Sequence, residues 1–344
     1  MSELRLGLFG AGLIGREHAQ YAQQAQGVEL VAVADPTDAA KQLSAELGAR
    51  HYNDYASLLE AGEVDAVIVA LPNAMHADAA VAAIDRDVAV LVEKPIADTL
   101  EQASRIVDAS ERRGVPVLVG HQRRYAPDVA AAKKFIESGG IGEIVAVSLM
   151  STWRKPDEYF DIEWRRRRGG GPVLINLIHD IDVIRYLAGE IDTVTALGSS
   201  KVRGFEVPET VGAVLEFANG AIGTAMLSDA AASPWNWDLM GYGAYFPTTP
   251  GDAYFISGTE ASIALPSLTV FRHEGGNHWQ LPFTKQTIDR VEVNPYITQL
   301  EHLVRVVQQG EAPVISARDG YNTLAVATAI DEAHASRQVT RVKR

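Results

Sequence analysis

At 344 residues the chain is long enough for two domains of ordinary size. Hydrophobic residues make up 47% and charged residues 22%, which supplies a full core and excludes a disordered chain. A formal net charge of −13 argues against a nucleic-acid partner, and the absence of cysteine excludes disulfides, thiolate catalysis and cysteine-held metal.

The chain runs from Met1 into its first strand with no signal-peptide pattern. No apolar stretch reaches the roughly 18 residues needed to cross a membrane, so a soluble cytoplasmic protein is expected. Leu4 to Phe9 reads as a buried strand and Leu13 to Gln26 as a helix, with Gly10, Gly12 and Gly15 between and within them. A second strand, Val28 to Ala34, ends at Asp35, 20 residues after Gly15. Asn53-Asp54 caps a helix over Tyr55 to Ala61. Strands follow at Val64 to Leu71, Val88 to Val92 and Val115 to Gly120, separated by helices at Ala77 to Asp85 and Thr99 to Arg113. Buried strands alternating with helices predict a doubly wound parallel sheet, a Rossmann domain over residues 1–122. Beyond it the texture changes. A helix over Asp128 to Ser138 leads to strands at Ile144 to Met150, Val194 to Gly198, Val211 to Phe217 and Ala221 to Leu227, the last two joined by a hairpin at Ala218-Asn219-Gly220. Helical periodicity returns at Pro295 to Val307 and Asp319 to Ser336. Residues 123–344 are therefore expected to form an α+β domain, a largely antiparallel sheet packed against a few helices.

Gly10, Gly12 and Gly15 satisfy G-x-G-x-x-G between a strand and a helix, where glycines permit a tight turn, a close pyrophosphate and close packing. The helix start at Leu13, Ile14 and Gly15 offers free N–H groups to phosphates. Asp35 is placed to accept hydrogen bonds from a ribose diol; it would repel a 2′-phosphate, and Pro36 and Thr37 supply no cation. NAD is expected rather than NADP. Ligands bind beyond the carboxyl ends of such strands. There the chain carries Leu71, Pro72, Asn73 and His76, then Glu93 and Lys94 before Pro95, then Gln122. All are candidate cofactor contacts. In the second domain Gly169-Gly170-Gly171 opens a helical run in which Asn176 and His179 lie three apart, on one face.

Taken together these motifs resemble the Gfo/Idh/MocA family (glucose–fructose oxidoreductase, inositol dehydrogenase, rhizopine catabolism). Glu93-Lys94-Pro95 matches the family signature, Pro72-Asn73-x-x-His76 is similar to its usual loop, and the run from Gly169 to Leu187 resembles its active-site helix, with His179 and Asp182 as the His-x-x-Asp ending. The resemblance covers nearly the whole chain. It implies an NAD(P)-dependent dehydrogenase acting on a secondary hydroxyl of a sugar, sugar derivative or cyclitol, with Lys94 and His179 as catalytic residues handling the hydroxyl proton. It also implies that residues 123–344 carry a large open, mainly antiparallel sheet that covers the substrate and serves as the interface of a homodimer or homotetramer. One departure stands out: the aspartate that many relatives carry four residues before the histidine is Ile175 here, with Asn176 beside it. Lys94, Trp164, Asn176 and His179 are the candidate substrate contacts.

Each residue has a plainer reading. Lys94 can close a turn at the surface, His179 can pack within a helix, and Glu93 can shape its loop. Asp180 and Asp182 can orient His179 or pair with Arg185. Arg165 to Arg168 reads as a solvated loop, or as a clamp for an acidic group on a cyclic hemiacetal or dihydrodiol. Trp153, Trp235 and Trp237 read as core, and Trp164 as a stacking surface for a sugar. The remaining histidines show no ligand spacing, so no metal is expected. Two other functions fit the same framework, an NAD-dependent glycosidase working by transient oxidation and elimination, and a non-catalytic dinucleotide or sugar sensor. Selectivity is expected to reside in loops such as Ser228 to Pro250.

Overall fold

The computed structural model describes residues 2–242 and 246–344, and its strands form two sheets of six and nine. The chain divides into two units, Met1–Tyr125 with Val293–Leu324, and Ala126–Glu292 with Ala325–Arg344.

In the first unit strands and helices alternate: β1 (Leu4–Phe9), α1 (Leu13–Ala22), β2 (Val28–Ala34), α2 (Asp38–Leu47), β3 (Arg50–Tyr52), α3 (Tyr55–Ala61), β4 (Ala66–Val69), α4 (His76–Ile84), β5 (Ala89–Val92), α5 (Leu100–Arg113) and β6 (Val117–Val119). The sheet order is β3-β2-β1-β4-β5-β6, with every pairing parallel. This is the doubly wound order, which reverses direction at β1 and β4 and opens a ligand crevice beyond their carboxyl ends. All residues of β4, β5 and β6 are buried, as strands covered on both faces must be. Asp54 caps α3 through the Ser57 N–H, as its sequence position predicts, and Thr99 caps α5 through the Gln102 N–H.

The second unit holds α6 (Pro127–Glu137), β7 (Ile144–Thr152), a π-helical turn Val173–Leu177 running straight into α7 (Ile178–Ala188), then β8 (Ile191–Ser199), β9 (Thr210–Phe217), β10 (Ile222–Ser228), β11 (Tyr254–Gly258), β12 (Ser262–Leu265), β13 (Thr269–His273) and β14 (Phe283–Thr287). After α8 (Pro295–Gln309) and α9 (Ala317–Ser336) a short β15 (Thr340–Arg341) completes the order β14-β13-β12-β11-β7-β10-β9-β8-β15. Only β7 and β10 pair in parallel; the other contacts are antiparallel.

Two differences from the sequence reading have physical causes. A single cut at residue 122 does not describe the chain, because α8 packs Leu300, Leu303 and Val304 into the same core as Leu4, Leu6 and Leu8 of β1. Strands β11 to β14 were not expected. They are short, and all five residues of β14 are exposed, so no alternation marks it. Of the Ser228 to Pro250 loop, residues 243–245 lie outside the described residues.

Within the second unit, Asp128 at the start of α6 accepts a hydrogen bond from the Trp237 indole N–H at 2.7 Å, and both side chains are buried. Burial pushes the Asp128 carboxyl up to about 6, against the opposing pull of Trp237. A carboxyl whose pKa is raised on folding holds its proton in the native state, so its ionisation costs stability as the pH rises from about 4 to above 6. Asp128→Asn keeps an acceptor for Trp237 and removes that cost. It should raise the thermal midpoint at pH 8, by an amount corresponding to about 3 kcal/mol at most, and change little at pH 4. Calorimetric melting at both pH values checks this; an equal shift at the two would refute it.

Candidate active site

The glycine turn follows directly from β1. At Gly10 φ is +91°, and a Cβ would sit 2.5 Å from the Ala70 carbonyl oxygen. A Cβ on Gly15 would lie 2.0 Å from the Gly10 carbonyl oxygen, so only glycine lets α1 start this close to the strand. Gly12 is the opposite case, with nothing within 4 Å of its Cβ position. No side chain caps α1 and its first turn carries no acid. The N–H groups of Leu13, Ile14 and Gly15 therefore lack intrahelical acceptors, at the positive end of the helix dipole. Bare backbone at Gly12 and an uncapped helix start fit a dinucleotide pyrophosphate.

Asp35 stands at the end of β2. Its Oδ2 accepts the Ala11 N–H at 2.9 Å, and its Oδ1 accepts the N–H and hydroxyl of Thr37 at 2.9 and 2.6 Å. Partial burial raises its pKa, but these hydrogen bonds outweigh it and hold the carboxyl below its ordinary value. An ionised carboxylate thus braces the glycine turn from the side where a ribose would lie.

The Glu93-Lys94-Pro95 turn follows β5. Glu93 is only 6% exposed. Its Oε1 lies 2.7 Å from Nε2 of His18, a wholly buried residue of α1, and its Oε2 accepts the Lys94 N–H at 3.0 Å. Burial raises the Glu93 pKa, yet the hydrogen bond and charge of His18, with Lys94, bring it below the ordinary value. The carboxylate occupies room left by Gly120, where a Cβ would come within 2.8 Å of Oε1. His18 meets the Tyr296 ring edge-on at 5.9 Å, and Tyr296 stacks on Tyr21 at 4.9 Å. On the other side His76 places Nδ1 2.9 Å from the Pro95 carbonyl oxygen and Nε2 2.8 Å from that of Leu71. Burial pushes the His76 pKa down. Glu93 and His76 are buried with their side-chain polar atoms engaged by protein groups, and they support the loop that carries half-buried Lys94. Asn73 and Gln122, half-buried, and exposed Pro72 stay at the strand ends where a cofactor would lie.

In the second unit Asn176 lies within the π-helical turn and His179, half-buried, in the first turn of α7. The regular three-residue spacing expected for them is thus interrupted, a local feature often found at functional sites. Asn176 Oδ1 receives Lys155 Nζ at 2.5 Å. Lys155 follows β7, is 6% exposed, and sits 4.2 Å from the centroid of the Tyr159 ring. The Asp180 carboxylate accepts the Ser151 hydroxyl at 2.8 Å and the Tyr254 hydroxyl. Arg185 pairs with Glu190 at 2.5 Å. The arginine run is split. Arg167 pairs with Glu163 at 2.7 Å and Arg168 with Glu206 at 3.4 Å, both exposed, while Arg165 donates to the Tyr159 carbonyl oxygen at 2.9 Å. Trp164 is 48% exposed and Trp235 51%, whereas Trp237 is buried. Among the described residues no cluster of three His, Asp or Glu is placed to hold a metal, and no helix is long and apolar enough to cross a membrane.

Sequence reasoning missed His18 and Lys155. His18 falls on the buried stripe of α1 with Gly15, Ala19 and Ala22, which is the one signal that marks it.

Comparison with known proteins agrees with this geometry. The model of the oxidoreductase family, NAD-binding Rossmann fold, matches residues 4–121, and that of the GFO/IDH/MocA C-terminal domain matches residues 129–264. The rhizopine catabolism protein MocA of Rhizobium meliloti is 30% identical, covering 96% of this chain and 95% of that protein. The scyllo-inositol 2-dehydrogenase (NAD(+)) of Bacillus subtilis (strain 168) is 28% identical over 95% of this chain and 93% of its own. The structure of a levoglucosan dehydrogenase in complex with NADH and levoglucosan superposes with a TM-score of 0.83 at 23% identity, over 100% of both chains, and shows the same fold.

Removing His18 leaves Glu93 charged, buried and short of a partner. His18→Ala should cost about 3–5 kcal/mol, and His18→Gln, which retains an N–H donor, should cost clearly less. Denaturant midpoints of the two variants decide the matter; equal losses would show that packing, not the hydrogen bond, is what His18 supplies.

Proposed function

The chain belongs to the Gfo/Idh/MocA family of NAD-binding Rossmann-fold oxidoreductases, and from that premise we propose that it oxidises a secondary hydroxyl of a sugar, sugar derivative or cyclitol. The observation that carries the reading is Lys94, held in its turn by the buried Glu93–His18 pair and by His76 beside the glycine turn that fits a dinucleotide. Relatives named as scyllo-inositol and levoglucosan dehydrogenases support the substrate class.

Bound NAD supplies the hydride acceptor. Asp35, ionised and followed by Pro36 and Thr37 with no cation, favours a ribose diol over a 2′-phosphate, hence NAD over NADP. Lys94 orients the hydroxyl oxygen, and its ammonium stabilises negative charge as the proton departs. His179 takes that proton, a task suited to an imidazole near neutrality. Neither Ile175 nor the amide of Asn176 can act as a base, so the proton falls to His179 and Lys94. NADH formation across a panel of sugars, sugar acids, anhydrosugars and cyclitols tests the reading. Lys94→Ala and His179→Ala should each lower kcat at least about a hundredfold with NAD still bound. Turnover that survives in His179→Ala would remove it as the base.

The nine-stranded sheet supports self-association. Leu197, Gly212, Met226 and Met150 stand opposite one another across β8, β9, β10 and β7, and the next row on the same face is Thr195, Val214, Thr224, Ser148 and Phe255. Leu197, Val214, Met226 and Phe255 are between 42% and 61% exposed, an apolar face suited to a second copy of the chain in a homodimer or homotetramer. Leu197→Glu combined with Met226→Glu should shift sedimentation to the monomer. A wild type that is itself monomeric would refute the assignment.

A further inference from the structure

The polar cluster behind Asn176 carries information about the substrate. A lysine ammonium has only donors, so the Asn176 atom 2.5 Å from Lys155 Nζ is the carbonyl oxygen. The amide orientation is thereby fixed, and its NH2 group is the half left to meet a ligand. Arg165 lies on the same tyrosine, 4.0 Å from the Tyr159 ring centroid against 4.2 Å for Lys155. Its Nε is buried and has no hydrogen-bond partner among the described residues. Arg203 adds a third cation, bound to Asp229 Oδ1 at 2.5 Å and to the Lys155 carbonyl oxygen at 2.9 Å. Against these stand two carboxylates, Asp229, and Glu209, which accepts the N–H groups of Val202 and Arg203. Arg203 is thus engaged by a carboxylate and a carbonyl, whereas Arg165 Nε is not.

We propose that Lys155, by fixing the Asn176 amide, and Arg165 make this part of the second unit a donor-only site for a carboxylate, so that the substrate is a sugar or cyclitol acid. The proposal rests on Asn176 contacting substrate, as in the dehydrogenase reading above. Lys155 acts through Asn176 and is a positioning residue. An uncharged polyol matches the site less well, because each hydroxyl that accepts from the amide still has a proton to place. Two donors, the Asn176 NH2 group and Arg165 Nε, answer to the two oxygens of a carboxylate, whereas a phosphate monoester brings a third oxygen and close to two negative charges at neutral pH.

Calorimetric titration of the NADH-loaded protein tests this without turnover. The probes are D-glucuronate and D-gluconate, their uncharged parents D-glucose and D-glucitol, and D-glucose 6-phosphate. At least one acid should bind about tenfold or more tightly than its parent, as expected for a hydrogen bond to a charged group. Asn176→Asp, which sets a carboxylate against a carboxylate, should abolish that preference. Lys155→Met should weaken the acid about tenfold, with Lys155→Arg recovering part of the loss, and Arg165→Gln should weaken it as well. Unchanged thermal midpoints and NADH affinity identify folded variants. Equal binding of acids and parents, tightest binding of the phosphate, a preference that persists in Asn176→Asp, or no binding of any probe would each overturn the proposal. Absence of NADH formation on the whole panel would instead sink the dehydrogenase reading, leaving the affinity ratio to stand by itself.

Discussion

The 2.7 Å contact between His18 and Glu93 ties the helix that begins at the glycine turn to the loop that carries Lys94. A buried carboxylate without a partner is costly, so its position is not negotiable once the imidazole is in place. The second oxygen of Glu93 holds the Lys94 N–H, and His76 holds the Pro95 carbonyl from the other side. The Lys94 backbone is thus clamped at both ends, and the side chain beyond it is the part left to adjust. Holding a reactive group on a scaffold whose own side chains are locked is what lets a short turn serve as well as a rigid strand.

The second unit solves a similar problem with opposite charges. Here the buried group is a cation, Lys155, and what it holds is an amide rather than a backbone N–H. Glutamate at position 93 and lysine at position 155 both turn a flexible polar side chain into a directional one by fixing one of its neighbours. The π-helical turn Val173–Leu177 brings Asn176 to this arrangement immediately before the regular helix that carries His179. On the same helix the Asp180 carboxylate takes the hydroxyls of Ser151 and Tyr254.

Much of the first unit could be read in the chain because its signals are local. The strand Leu4–Phe9, the three glycines and the caps at Asp54 and Thr99 each act over a few residues, and each stands where the sequence puts it. What escaped notice depends on partners far apart in sequence. His18 and Glu93 are separated by 75 residues and Lys155 and Asn176 by 21, so neither pair leaves a local mark. The helix Pro295–Gln309 was visible from its periodicity, but periodicity does not say which sheet its apolar stripe will cover. Exposed edge strands such as Phe283–Thr287 lack even a periodic signal, because neither face is buried.

The same distinction explains why the family is easier to read than the substrate. Dinucleotide binding needs close backbone approach, and backbone approach demands glycine at fixed spacing; Gly10 and Gly15 admit no other residue without displacing a carbonyl. The direction in which the Asn176 amide faces is set instead by a residue from a separate segment. Only the fold shows that a lysine from beyond the end of β7 stands behind the Asn176 amide and takes its oxygen. The residue at 176 therefore carries meaning only together with the cation packed behind it.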